Sequence, residues 1–284
     1  MTLYGVADLS VAKATGAQTA ASANGLLNNG NSRLGVKGTE DLGGGTTMSF
    51  NFEQGINMGN GAADSVAFKR AAWMELGGGF GSVRAGQSLS PQFYATANYE
   101  LTGMANYSAV ANKFGFGGES NPRNNANIAY TTPSFGGLKA TLGTVMAGNN
   151  SGNAKTELTA TYNNGPVAAA ATYSKTANSD SKATTIGGSY DFGVAKVAAG
   201  YFDPAGVMKG YSLGVSVPMG AWTFTADAAR DTGSATKSTD TVLEAKYALS
   251  KRTTVYAVSY HAGGAGLGGL ATGTTSGVGI RHNF

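Results

Sequence analysis

Few residues in this chain have the type and spacing for covalent chemistry. Ser259 and His261 stand two apart in an alternating segment, and a serine–histidine pair needs hydrogen-bond reach and a third group that orients the base. Residues two apart on a strand share a face but sit about 6–7 Å from each other. No Gly-x-Ser-x-Gly falls in a strand–turn–helix setting. The glycines from Gly43 to Gly45 lack the Gly-Lys-Ser/Thr and following helix of a phosphate loop. With 2 His and 0 Cys, thiol catalysis, disulfides and thiolate- or His-rich metal sites are excluded, so an enzyme, a metal and a cofactor are not expected. Charge remains. Arg33 lies opposite Leu34 and Arg70 opposite Trp73 in alternating segments, and Lys37, Arg84 and Lys139 also fall on polar faces. The formal net charge is only +4 and forms no basic block, which leaves nucleic-acid binding unsupported. The available chemistry is electrostatic: fixed cations on a wet face attract anions and repel cations, offset in part by Asp8 and Glu53.

The elements that carry these charges have a period of two. Only 13% of the residues are charged and 42% apolar, against roughly 25% and 45–50% in soluble globular domains; the difference has gone into Gly, Thr, Ser, Asn and Ala. No apolar run approaches the roughly 18 residues of a spanning helix, so a helical membrane protein is excluded. Met48, Phe50 and Phe52 alternate with polar neighbours, as do Leu34 with Val36 and Leu138 with Leu142; each such strand has one apolar and one polar face. About sixteen segments follow this pattern, near 2–13, 30–39, 46–56, 65–76, 81–88, 124–132, 138–146, 155–163, 167–175, 182–191, 194–202, 208–218, 221–230, 239–248, 253–262 and 275–284. A short helical turn fits between Ser90 and Ala111, but nothing in the sequence demands it.

Connection lengths carry the architecture. Tight turns such as Asp41 to Gly45, Pro133 to Gly137 and Pro218 to Gly220 alternate with longer polar stretches such as Ala14 to Asn29, Ser88 to Arg123, Thr176 to Ser181 and Ala262 to Thr274. A closed up-and-down barrel puts every odd connection at one end and every even one at the other, and transmembrane barrels keep one end short. A soluble sandwich gives no reason for that alternation. A β-solenoid adhesin competes, but the sequence has no fixed repeat. No signal peptide opens the chain, since Met1 is followed at once by an alternating segment. Either the protein stays inside the cell, or this is a mature chain restarted with a Met.

Several stretches resemble the Gram-negative general porins of the β-proteobacterial and neisserial type. They are Thr2 to Val6; Ser32 to Gly45, the most specific; Phe68 to Leu76 with Gly78 to Gly81; Arg123 to Asn127 with Tyr130 and Pro133 to Gly137; Leu249 to Thr253 with Tyr256; and Gly279 to Phe284. The resemblance covers the chain from first residue to last. It implies an all-β, 16-stranded antiparallel outer-membrane barrel spanning 1–284 as a single domain. It also implies a homotrimer in contact with lipid and lipopolysaccharide, and passive diffusion of small hydrophilic solutes. Residues 88–123 become a constriction loop folded into the barrel, with Phe93, Tyr94, Tyr99, Leu101, Tyr107 and Phe114 as anchors and Glu100 and Glu119 as acids facing solvent. Arg33, Arg70 and Arg123 match the positions that line the family's constriction as a basic cluster, which implies anion preference. Departures from the family pattern are Gln87, Arg84 and Ala129. Phe284 ends an alternating strand and resembles the signal read by the barrel-assembly machinery.

Phe50, Phe52, Trp73, Tyr190, Tyr201, Trp222, Tyr247, Tyr256 and Tyr260 are the expected interfacial aromatics. Two other functions remain open on the sequence: a channel specific for a phosphate-like or organic anion, and a non-conducting surface adhesin.

Overall fold

A strand leaves a row of unpaired backbone groups on each edge unless another strand covers it, and only full closure of a sheet removes every edge. The computed structural model, which describes residues 1–180 and 182–284, closes. Its strands are β1 (Thr2–Ala14), β2 (Ala20–Ser22), β3 (Arg33–Gly43), β4 (Thr46–Gly55), β5 (Ala71–Gly78) and β6 (Gly81–Leu89). After a long loop come β7 (Arg123–Thr131), β8 (Leu138–Val145), β9 (Lys155–Asn164), β10 (Val167–Thr176), β11 (Lys182–Asp191) and β12 (Lys196–Asp203). The last five are β13 (Gly210–Met219), β14 (Trp222–Asp231), β15 (Ser238–Ala248), β16 (Thr253–Ala262) and β17 (Gly273–Asn283). From β3 onward each strand pairs antiparallel with the next, and β17 returns to β1 from Val6↔Asn283 to Ala14↔Thr275. The first residues of β1 pair with β3. The three-residue β2 lies on β1 within the first long loop, so the wall itself has sixteen strands.

The sixteen expected segments become the sixteen wall strands with small shifts at their ends. The largest shift is β5, expected from residue 65 and found from Ala71. Phe68 takes a left-handed φ of 52° and its N–H donates to Gln54 Oε1, which takes residues before 71 out of the ladder. At the β3–β4 turn, Gly43, Gly44 and Gly45 have φ values of 82°, 60° and 76°, a run that side chains with a Cβ resist. Of the expected loop from Thr176 to Ser181, Ser181 lies outside the described residues.

Leu9, Val11, Leu34, Met74, Leu142, Ile186, Leu213, Leu243, Val278 and Ile280 all point outward. Trp222 stacks on Phe224 at 5.7 Å and meets Tyr247 at 4.8 Å, while Tyr190 meets Phe192 at 4.6 Å; all lie near the short-turn rim. Tyr201 pairs with Tyr211 near the long-loop rim. Three expected interfacial aromatics face inward instead. Trp73 lies beneath Arg84, Tyr256 donates to Asp8 and Tyr260 donates to Asp240. On β16 both faces are mixed in polarity, with Val255 and Ala257 outside against Val258 and Tyr260 inside, so residue type alone could not assign them.

The loop between β6 and β7 occupies the interior. Ser90 caps α1 (Pro91–Ala97) by accepting from Phe93 N, and Ser108 caps α2 (Ala109–Phe114) by accepting from Ala111 N. The helix α1 packs against β8, β9 and β10, and α2 against β14 and β15. Of the six expected anchors, Tyr99, Tyr107 and Phe114 are fully buried, whereas Tyr94 stays exposed and Phe93 packs on Phe116. Phe114 stacks on Phe202 of β12 at 4.9 Å. Tyr99 sits in a slot made by glycines of β11 and β12: a Cβ at Gly187 would stand 2.3 Å from its ring, and one at Gly200 3.1 Å from its hydroxyl. Gly187→Val should therefore displace Tyr99 and cost about 1–3 kcal/mol. Thermal unfolding followed by the gel-mobility shift of the heated barrel checks this, and an unchanged midpoint would mean that the slot is not needed.

Candidate functional site

The charges expected on polar faces converge on one sector of the inner wall. Arg33 on β3 shares a face with Gly35, which pairs with Glu53 on β4, so guanidinium and carboxylate meet across the ladder. Arg33 Nε lies 3.2 Å from one Glu53 oxygen and Arg70 Nε 2.8 Å from the other. Strand alternation puts Arg70 inside only if Trp73 faces outward, and Trp73 faces inward. Arg70 still reaches the interior because it precedes β5, its N–H bonding to Glu53 O outside the regular pairing. Arg123, at the start of β7, donates through Nε to Arg70 O at 2.8 Å. The three expected arginines therefore form one cluster.

A fourth guanidinium joins them. Arg281 of β17 donates to Asn29 Oδ1 at 2.7 Å and to Asn283 Oδ1 at 3.3 Å. The Cβ position of Gly30 lies 3.1 Å from Arg281 Nη1 and 3.9 Å from Arg33 Nη1, so the two guanidinium groups are neighbours. Its signal is present in the sequence: the alternation of Val278, Ile280, His282 and Phe284 puts Arg281 on the opposite face. Among the described residues, neither Arg123 nor Arg281 has a carboxylate within ion-pair distance. Four guanidinium groups share this sector with two carboxylates, Glu53 and Asp8, the latter opposite Arg281 across the β1–β17 ladder, and low-dielectric walls strengthen the field of charges left unpaired.

The other expected charges have different settings. Lys37 lies exposed on the same face as Arg33, 5.1 Å from the Tyr4 ring centroid. Arg84 is held by Glu75 at 2.8 Å and lies over Trp73, 4.3 Å from the ring centroid. It lines a chamber of about 410 Å³ near the short-turn rim together with Tyr94 and Lys139. Asp8 is 0% exposed, accepting from Tyr256, Asn28 and Gly30, and so ties the first long loop to the wall rather than presenting free charge. Glu100, expected to face solvent, is buried and organises the inner loop by accepting from Thr102, Ser108 and the Met104 N–H. Glu119 remains partly exposed, 3.4 Å from Lys155, and accepts from Ser174.

The inner loop is fastened across the barrel by Tyr107, one of the expected anchors, and by Lys113 and Asn106, which the sequence pattern does not single out. Lys113 is fully buried, its Nζ 2.7 Å from Asp240 Oδ1 and bonded to Ser238, Gly264 O and Ala265 O. Tyr107 donates to Glu244 at 2.5 Å and receives Asn29 Nδ2 at 2.6 Å. Asn106 bonds Gly25 O and Asn31 Oδ1. The first, third and last long loops thus meet inside the wall.

Burial and the Glu244 carboxylate push the Tyr107 hydroxyl well above its ordinary value of 10.0, and burial beside Glu100 raises Tyr99 likewise. A group raised in the folded state contributes stability below its unfolded pKa and loses it as pH rises. The seat of the inner loop should therefore weaken above about pH 10, and Tyr107→Phe should flatten that alkaline dependence. Thermal unfolding between about pH 8 and pH 11, a window set on either side of the free tyrosine value, checks it.

Ser259 and His261 do not form a pair. Ser259 bonds Ser276 at 2.9 Å and His261 bonds Thr274 at 3.0 Å, both on the outer face. Phe284 closes the ladder through reciprocal backbone bonds with Gly5 at 2.9 and 3.1 Å, its ring outward beside His282.

Residues 1–264 match the family model of Gram-negative porins. The chain is 33% identical to outer membrane porin protein 32 of Delftia acidovorans, over all of this chain and 94% of that protein. It is 28% identical to an outer membrane porin protein of Bordetella pertussis, over 92% of this chain and 84% of the other. Among solved structures, an anion-selective porin from Comamonas acidovorans superposes with a TM-score of 0.79 at 29% identity, covering 100% of this chain and 99% of that one. A whole-length barrel of sixteen wall strands, a water-accessible charged interior and a family match over most of its length lead to one conclusion: the chain belongs to the Gram-negative porins, the β-barrel channels of the outer membrane.

Proposed function

We propose that this porin is a general diffusion channel for small hydrophilic solutes, with a preference for anions set by Arg33, Arg70, Arg123 and Arg281. The observation that carries the reading is the excess of four guanidinium groups over the two carboxylates, Glu53 and Asp8, in one lumenal sector. Guanidinium groups stay charged even when crowded, and rings of fixed charge select ions by sign. The anion-selective structural relative supports the same sign. In this reading residues 1–284 act as one domain and the loop 88–123 narrows the pore opposite the arginines. Lys37 and Lys139 add positive charge along the path, and no covalent step is involved. A trimer, lipid and lipopolysaccharide around the wall, and recognition of Phe284 by the assembly machinery complete the proposal; one trimeric porin shares the fold at 13% identity.

The test is the reversal potential of refolded protein in a planar bilayer under a salt gradient. An ohmic current with anion-preferring reversal is expected, and the triple variant R33Q/R70Q/R123Q should bring reversal to near zero, since only Arg281 then opposes Glu53 and Asp8. A cation-preferring reversal in the unaltered protein would overturn the account of the lumen while leaving the porin. The absence of current from folded protein would overturn diffusion itself.

A further inference from the structure

We infer that the outer wall between β13 and β16 holds one lipid with an anionic phosphate headgroup, seated by Arg230. The inference rests on the chain being a bilayer-embedded barrel and is independent of its ion preference.

Large and small side chains divide this part of the outer face unevenly. Ala226 and Ala228 on β14 and Ala245 on β15 are flanked by Leu213, Leu243 and Phe224. The wall is therefore hollowed rather than convex. One apolar furrow of about 560 Å³ runs over Ala226 and Ala228, and another of about 770 Å³ continues over Ala245 towards β17.

At the long-loop end of the first furrow, two residues beyond Ala228 on the same face, stands Arg230. It is exposed, donates through Nη1 to Thr239 at 2.9 Å, and faces Tyr211 across the β13–β14 ladder. Among the described residues it has no carboxylate within ion-pair distance. Thr241, which lines the furrow beside Ala228, and His261 opposite it on β16 continue the polar groups at this end.

Two arguments choose the occupant. Lipid chains are as apolar as the leucines they would replace, so burial of a tail does not by itself discriminate one lipid from another; the headgroup must. An unpaired guanidinium at the depth where long-loop strands leave the bilayer attracts phosphate, and its planar fork takes two phosphate oxygens at once. The furrow below then gives the attached chain a fixed track, where a smooth wall would leave it mobile.

Native mass spectrometry of the delipidated, refolded full-length protein tests this, with phosphatidylglycerol and phosphatidylcholine of equal chain length as probes. Retention of about one phosphatidylglycerol per chain is expected, about tenfold tighter than phosphatidylcholine. Arg230→Gln should abolish that difference and Arg230→Lys should keep part of it. Ala228→Leu, which fills the furrow and leaves the cation, should weaken retention of both lipids. The reversal potential should not move in any of these variants, because Arg230 faces away from the lumen. Equal retention of the two lipids by the unaltered protein, or no effect of Arg230→Gln, would overturn the proposal. So would efficient cross-linking of an Ala228→Cys variant to a second copy, which would make the furrow a subunit contact.

Discussion

Replacing Arg123 and Arg281 together by glutamine should remove most of the anion preference, lowering the anion-to-cation permeability ratio about tenfold. The sector then keeps two guanidinium groups against Glu53 and Asp8 in place of four. Two unit charges 4 Å apart interact by about 1 kcal/mol in water and about 4 kcal/mol at the effective dielectric of a protein surface. Loss of two charges with no counter-ion is therefore worth a tenfold change, about 1.4 kcal/mol. The matched control is R33Q/E53Q, which removes one charge of each sign. It should leave the ratio nearly unchanged, although Arg33 lies in the most specific match to the family. Reversal potentials of the two doubles side by side decide the matter. If R33Q/E53Q shifted the ratio as far as R123Q/R281Q, the position of Arg33 would matter more than the balance of charge.

Lys113→Met should loosen the inner loop more than any other single change. It leaves Asp240 in a dry setting with only the Tyr260 hydroxyl and the Gly263 N–H as donors, and breaking one half of a buried ion pair costs about 3–5 kcal/mol. A lower midpoint of thermal unfolding is expected, with current that flickers between levels as the loop leaves its seat. The double variant K113M/D240N should recover much of the stability, because the stranded charge is gone. If single-channel records of Lys113→Met were as quiet as those of the unaltered protein, the other fastenings, Tyr99, Tyr107 and Phe114 among them, would suffice to hold the loop.

The wall was legible because a strand with one lipid-facing and one water-facing side writes its geometry into alternate residues. Leu138 to Leu142 or Val278 to Phe284 need nothing beyond their own sequence. The alternation of tight and long connections added closure. The inner loop was visible as a length, not as a structure: α1 and α2 are seven and six residues long, too short to show a helical period. Their burial comes from partners far away along the chain. For the same reason Glu100 looks like a solvent-facing acid and Tyr260 like an interfacial aromatic. Each is buried by a segment that local pattern does not announce. Arg281 is different. Its parity is readable from the same alternation that presents Phe284, and the aromatic terminus draws attention away from it.

Lys113, Tyr107 and Asn112 find their partners on β15 and in the loop between β16 and β17. Those partners lie in the last part of the chain to be made. Contacts so distant in sequence form late, since chain entropy must be overcome before they repay it. A barrel without its final hairpin thus has an inner loop with no buckle. The inner loop gains its last fastenings only when the two chain ends meet. A fully fastened inner loop is then a timestamp of a closed barrel.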